Sequence, residues 1–170
     1  GFTAPTGGLL REQNLLAQRD ALVRSEWLSR MNINPAANSL LISLFAYENP
    51  AIDELIAAWK QSVQPIHCLV PEGKILGSIN QCIGETLVCG DTYQSGNLTV
   101  PVIPFVTQTD YDKLLWACDI NFVRGEDSFI RAQWAGKPVV WHIYVQDDDA
   151  HLVKLQAFLA VYAAKDQALR

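Results

Sequence analysis

A parallel β-sheet with helices on both faces is the α/β fold that this 170-residue sequence predicts. Two observations carry that expectation. Short continuous apolar runs, led by residues 39–46, suit strands covered on both sides. These runs alternate with helical stretches, and such alternation implies parallel strands joined by crossover helices. The layout expected is Rossmann-like.

The elements follow in order. Residues 1–8, with Pro5 and Gly7-Gly8, read as a loop or interdomain linker, and residues 9–30 as mostly helical. Residues 1–30 are therefore set apart as linker and leading helical segment, and residues 31–170 as the sheet domain. Pro50 opens a helix running to about Ser62, at a position where helices tolerate proline. Residues 66–70 form a second strand, and Pro71-Glu72-Gly73 start the next helix. Residues 86–89 read as a third strand. Residues 91–105 read as a hairpin or loop excursion about Gly96-Asn97, kept extended by Pro101 and Pro104. Thr109 is the expected N-cap of a helix over 110–118. A strand over 119–123, a helix over 127–135 stopped by Gly136, and a strand over 138–143 complete the alternation. Residues 149–164 read as an amphipathic helix with Leu152, Leu155, Phe158, Leu159 and Tyr162 on one stripe.

Composition narrows the function. Hydrophobic residues make up 49% and charged residues 18%, which excludes disorder as a description of the whole chain. The net charge of −5 gives no general reason to bind nucleic acid or anionic lipid, although it is compatible with a local basic pocket. No apolar run approaches the roughly 18 residues of a spanning helix, so no membrane partner is expected. Cys68, Cys82, Cys89 and Cys118 form no C-x-x-C pair and read as reduced thiols of a cytoplasmic protein. His67, His142 and His151 form no ligand-spaced cluster with them, so no metal is expected. The chain opens Gly1-Phe2-Thr3 and closes within a helical pattern, the texture expected of one piece of a longer protein.

In an open parallel sheet, ligands bind at the carboxyl ends of the strands. The segments to inspect are thus 45–49, 71–74, 90–91, 104–108, 124–128 and 143–149. The richest is Arg124-Gly125-Glu126-Asp127-Ser128, where a strand runs through Arg-Gly straight into a helix. Gly125 allows close approach to the backbone, the unpaired N–H groups of 126–128 point outward, Arg124 adds charge, and Ser128 adds a donor. Together they suit a diphosphate, with Glu126 and Asp127 facing sugar hydroxyls. The competing reading is a capped helix in which Arg124 pairs with Glu126 or Asp127. Phe45 and Tyr47 share one face at the end of the first core strand and suit base stacking or core packing. Phe105 and Gln108 admit the same two readings, stacking on a base and reading its edge or ordinary packing. Asp147-Asp148-Asp149 reads as a helix cap or a metal site, and Trp116, Trp134 and Trp141 as core. No G-x-G-x-x-G or Walker A motif is present.

The run from Tyr111 to Ser128, followed by Arg131-Ala132-Gln133-Trp134-Ala135-Gly136-Lys137-Pro138, closely resembles the protein-arginine rhamnosyltransferases that modify elongation factor P, the EarP family. The likeness extends through Trp141-His142-Ile143-Tyr144 and Gln146 to His151, and to Gly1-Phe2-Thr3 with Gly7-Gly8-Leu9-Leu10-Arg11-Glu12. It implies the C-terminal, donor-binding half of a two-domain GT-B glycosyltransferase. The implied donor is dTDP-β-L-rhamnose, transferred with inversion to an arginine of elongation factor P. Phe45, Tyr47 and Phe105 would surround the thymine, with Gln108 adding a polar contact. Arg124, Gly125, Asp127 and Ser128 would hold ribose and diphosphate, and Glu126 would take a catalytic part. No metal or other cofactor is implied. The family's catalytic aspartates and most acceptor contacts belong to the other half, so this chain alone is expected to bind nucleotide without transferring sugar. Two other readings stay open: a non-catalytic Rossmann-like nucleotide-binding or docking module, and a structural interaction domain.

Overall fold

The computed structural model describes residues 11–162. Two short helices, α1 (Leu15–Asp20) and α2 (Arg24–Arg30), precede the sheet. There follow β1 (Leu40–Leu44), α3 (Ile52–Lys60), β2 (Ile66–Pro71), α4 (Ile75–Ile83), β3 (Thr92–Ser95), β4 (Leu98–Ile103), α5 (Gln108–Ala117), β5 (Ile120–Arg124), α6 (Asp127–Ala135), β6 (Val139–His142) and α7 (Ala150–Tyr162). The six strands lie in the order β3-β4-β2-β1-β5-β6, and every pair is parallel except β3 with β4. This is the expected Rossmann-like sheet with an antiparallel edge strand.

Apolar residues on alternate sides of the central strands make two cores. Ile42, Leu44, Ile66, Cys68, Val70 and Val100 pack with Ile52 and Ile56 of α3 and Ile75 and Ile79 of α4. On the other face Leu41, Leu69 and Ile103 pack with Trp27, Leu28 and Leu114, while Val123 packs with Leu15, Leu115 and Phe129. The leading helices are thus part of the core. Burial on both faces is why β1 and β2 read as unbroken apolar runs.

Three expectations are corrected. Residues 86–89 form no strand. The Asn80 side chain satisfies the Leu87 backbone from both sides, accepting from its N–H at 3.0 Å and donating to its carbonyl at 3.3 Å. The place beside β2 is instead taken by β4, the second arm of the Gly96-Asn97 hairpin. The cap of α5 is Thr107 rather than Thr109, with Oγ1 accepting from Asp110 N–H at 3.3 Å. The apolar stripe of α7 is only partly covered: Phe158 packs on Phe129 and Trp141, whereas Leu152, Leu159 and Tyr162 are exposed. The helix over 127–135 is as expected and ends at Gly136, whose φ of +67° favours glycine.

Two polar devices pin β5 against β1. Ser43 Oγ donates to Asn121 Oδ1 at 2.9 Å, and Asn121 Nδ2 donates to the Leu115 carbonyl at 3.0 Å, all fully buried. Asp119 accepts both terminal nitrogens of Arg24 at 2.8 and 2.9 Å and the Leu41 N–H at 2.9 Å. Burial works to raise the Asp119 pKa, but Arg24 and the Leu41 N–H outweigh it and hold the carboxyl below its ordinary value of 3.8.

Asn121→Ala leaves the Ser43 hydroxyl and the Leu115 carbonyl buried without partners, and about 2–4 kcal/mol of stability should be lost in a urea titration. An unchanged midpoint refutes that account. A second outcome concerns acid. Because the folded Asp119 pKa is depressed, its contribution is present above the unfolded value of 3.8 and lost as pH falls through the lower folded value. Asp119→Asn should therefore destabilise the protein at pH 6, with the difference shrinking steadily below about pH 4. A difference independent of pH would show that the charge of Asp119 is not what acts.

Candidate functional site

After β4 the chain crosses over the sheet to β5, so the direction of winding reverses between β1 and β5. Such a reversal opens a crevice at the carboxyl ends of the two strands. Phe45 N–H still bonds the Phe122 carbonyl at 3.1 Å, which carries Phe45 and then Tyr47 to the rim beside Arg124. The Arg124 guanidinium carbon lies 4.4 Å from the Phe45 ring centroid and 4.9 Å from that of Tyr47. Lys74, from the turn after β2, places its ammonium 5.9 Å from the same Tyr47 ring. Among the described residues neither cation forms an ion pair. Of the capped-helix alternative, the tie of Arg124 to Glu126 or Asp127 is not formed, while Asp127 does stand in the first turn of α6.

The turn from β5 into α6 is built for close approach. Gly125 has a φ of +63°, and a Cβ there would sit 3.5 Å from the Tyr47 hydroxyl. Trp141 Nε1 donates to the Gly125 carbonyl at 2.8 Å, and the Trp141 ring stacks on Phe129 with centroids 3.8 Å apart. No side chain caps α6, and Glu126 and Asp127 are exposed. The first N–H groups of α6 therefore remain available at the positive end of its dipole.

Beside this turn lies a cavity of about 180 Å³ lined by Phe45, Pro71, Phe105, Val106, Gln108, Tyr111 and Ser128. Phe105 is 69% exposed, an unfavourable setting for a large ring that has no ligand to cover it. Its centroid lies 6.4 Å from that of Phe45, which meets Tyr111 edge-on at 5.5 Å. Burial pushes the Tyr111 phenol up to about 12, against the opposing influence of Ser128 and Arg124, and its Oη is buried without a hydrogen-bond partner among the described residues. Gln108 turns toward the buried Arg131. With its amide oriented to suit that neighbour, Gln108 Oε1 accepts from Arg131 Nε at 2.7 Å and from Arg131 Nη2.

Phe45, Phe105, Gln108 and Ser128 thus line one cavity, while Tyr47, Arg124 and Gly125 meet at its rim. Glu126 and Asp127 stand at the mouth of α6. Sequence reasoning did not single out Lys74, Tyr111, Arg131, His142 or Tyr144. His142 and Tyr144 pack edge-on to Tyr47 at 5.2 and 5.9 Å, and burial lowers the His142 pKa. Lys74 and Tyr144 do fall within segments that follow strands, a signal available beforehand. Tyr111 and Arg131 lie within helices and carry no such signal. Of the three aspartates, Asp148 bonds the start of α7, its Oδ1 accepting from Ala150 N–H at 3.2 Å. No group of His, Cys, Asp or Glu among the described residues is placed to hold a metal, and none of their helices is long and apolar enough to cross a membrane.

An aromatic slot, two cations unpaired among the described residues and an uncapped helix N-terminus thus lie together at the crevice. Comparison with known proteins identifies the family. The family model described as elongation factor P (EF-P) rhamnosyltransferase EarP matches residues 1–170. The chain belongs to the EarP family. It is 54% identical over 168 residues to a protein-arginine rhamnosyltransferase of Pseudomonas putida, with 95% of this chain and 45% of the relative covered. A Pseudomonas aeruginosa protein of the same name is 47% identical over 170 residues, with 96% and 45% covered. A solved structure described as the structural basis for EarP-mediated arginine glycosylation of translation elongation factor EF-P superposes with a TM-score of 0.85 at 48% identity, over 95% of this chain and 54% of that one. The chain thus spans about half the length of its relatives, and its fold is that of one Rossmann-like half of a GT-B glycosyltransferase.

Gly125→Ala forces a side chain into the left-handed region and should cost about 1–2 kcal/mol. For a chain of this size that corresponds to a Tm lower by about 2–8 °C. An unchanged melting curve would mean that the turn relaxes freely and does not hold the rim.

Proposed function

We propose that this chain is the donor-binding half of an enzyme that transfers rhamnose from dTDP-β-L-rhamnose to an arginine of elongation factor P, with inversion at the anomeric carbon. The observation that carries the reading is Arg124, unpaired among the described residues and held over Phe45 and Tyr47 at the sheet's switch point, in a chain of the EarP family. Phe45, Phe105 and Tyr111 offer the thymine an apolar slot, and Gln108 supplies a polar contact at its edge. Arg124, Ser128 and the N–H groups after Gly125 take the ribose and diphosphate, with Asp127 near the sugar hydroxyls.

The chemistry follows from the charges. Breaking the bond to the anomeric carbon leaves negative charge on the departing dTDP, and Arg124 with the α6 dipole is positioned to stabilise it. That makes a metal unnecessary in this reading. Glu126 is exposed and tied to no cation among the described residues, so its carboxylate is available to the rhamnose or to the acceptor guanidine. A general base and most acceptor contacts are assigned to the other half of the family's proteins. The setting proposed is the cytoplasm, where the free thiols Cys68, Cys82, Cys89 and Cys118 stay reduced.

The test is calorimetric titration with dTDP, with UDP and GDP as controls and EDTA present throughout. The chain should bind dTDP selectively. Arg124→Ala removes charged hydrogen bonds worth about 1.5–3 kcal/mol each, so affinity should fall at least about tenfold. Absence of dTDP binding, or affinity that survives Arg124→Ala, overturns the assignment.

A further inference from the structure

Arg131 stands behind the cavity, on α6, and is outside the set of residues proposed to touch the donor. It is only 7% exposed. A guanidinium carries five N–H donors in one plane and no acceptor. Here three acceptors share them. Arg131 Nη1 donates to Asp112 Oδ2 at 2.6 Å, Nη2 to Glu12 Oε1 at 2.8 Å, and Nε to Gln108 Oε1 at 2.7 Å. Asp112 is itself buried, so its pairing holds the guanidinium plane in place, and Trp134 lies alongside with its ring centroid 5.9 Å away.

A neighbour that only donates leaves Gln108 one satisfactory orientation. Its amide oxygen must face Arg131, because the reverse would set the NH2 group against N–H groups. The two donors on Nε2 are therefore the part of the amide left for the cavity that Gln108 lines.

We infer that Arg131 is a positioning residue for base selection: it holds the Gln108 carbonyl so that Gln108 Nε2 donates to the C4 carbonyl of a pyrimidine and rejects a C4 amine. A carbonyl at C4 accepts that hydrogen bond. An exocyclic amine there sets donor against donor and leaves both desolvated without partners. The inference rests on the nucleotide reading above, which already takes thymine as the base, and adds the residue that enforces the choice against a C4 amine.

Titration of the full chain with dTDP and dCDP tests it, in the wild type and in the variants Arg131→Lys and Gln108→Glu, with folding checked by thermal melting. Arg131→Lys keeps a cation for Asp112 but loses the planar fork that orients Gln108. Gln108→Glu keeps an acceptor for Arg131 but loses the donor offered to the base. The wild type should prefer dTDP, and in both variants the dTDP-to-dCDP preference should fall by about tenfold. A preference unchanged in the folded variants overturns the positioning role, since a merely structural arginine would alter both affinities alike. Should Arg131→Lys not melt cooperatively, Gln108→Glu decides the matter alone by the same criterion. Equal binding of dTDP and dCDP by the wild type overturns the inference while leaving the nucleotide site in place. No binding of dTDP defeats the nucleotide reading itself.

Discussion

The pairing of β1 with β5 is the constraint on which the candidate site depends. These strands are far apart in sequence and meet only because the winding of the sheet reverses between them. Their register, Ser43 opposite Asn121 and Leu44 opposite Phe122, brings Phe45 and Tyr47 level with Arg124. A slip of one residue would turn Arg124 to the other face of the sheet. Apolar side chains alone specify register weakly, because several alignments bury similar area. The hydrogen bonds of Ser43 and Leu41 to Asn121 and Asp119 are satisfied in one alignment only.

Electrostatics at the site run against those of the chain. A net charge of −5 belongs to the whole sequence, yet the crevice collects Arg124 and Lys74, which form no ion pair among the described residues, beside the N-terminus of α6. Aromatic faces make that arrangement tolerable. The rings of Phe45 and Tyr47 attract a cation without neutralising it, so Arg124 is held in place with its hydrogen bonds still to give. Structural arginines of the same molecule are spent differently: Arg24 closes on Asp119, and Arg131 on Asp112 and Glu12. The contrast between these paired arginines and Arg124 separates support from the candidate site.

Support for the rim comes from the side away from the crevice. Phe158 of α7 packs on Trp141 and Phe129, and Trp141 in turn holds the Gly125 carbonyl. The last helix therefore bears on the β5–α6 turn through stacked rings. Tyr162 stacks on Phe158 at the edge of this packing, and Leu152 and Leu159 stand exposed outside it.

Much of this protein was determined by its sequence alone. Continuous apolar runs, proline and glycine at element ends, and the alternation of strand with helix sufficed for the α/β class, because burial on both faces of a parallel strand leaves a local mark. The Arg124 to Ser128 turn was legible for the same reason: strand, glycine and helix start are neighbours in the chain. The supposed strand at 86–89 failed because the side chain of Asn80, seven residues before Leu87, takes the same backbone groups, and propensity does not register such competition. Thr109 lost to Thr107 because both are good caps and the packing of α5 chooses between them. Tertiary structure alone decided that Arg124 is unpaired among the described residues, that Lys74 shares a ring with it, and that Gln108 faces Arg131. Those outcomes depend on distances between residues remote in sequence, which the order of residues encodes only through the fold.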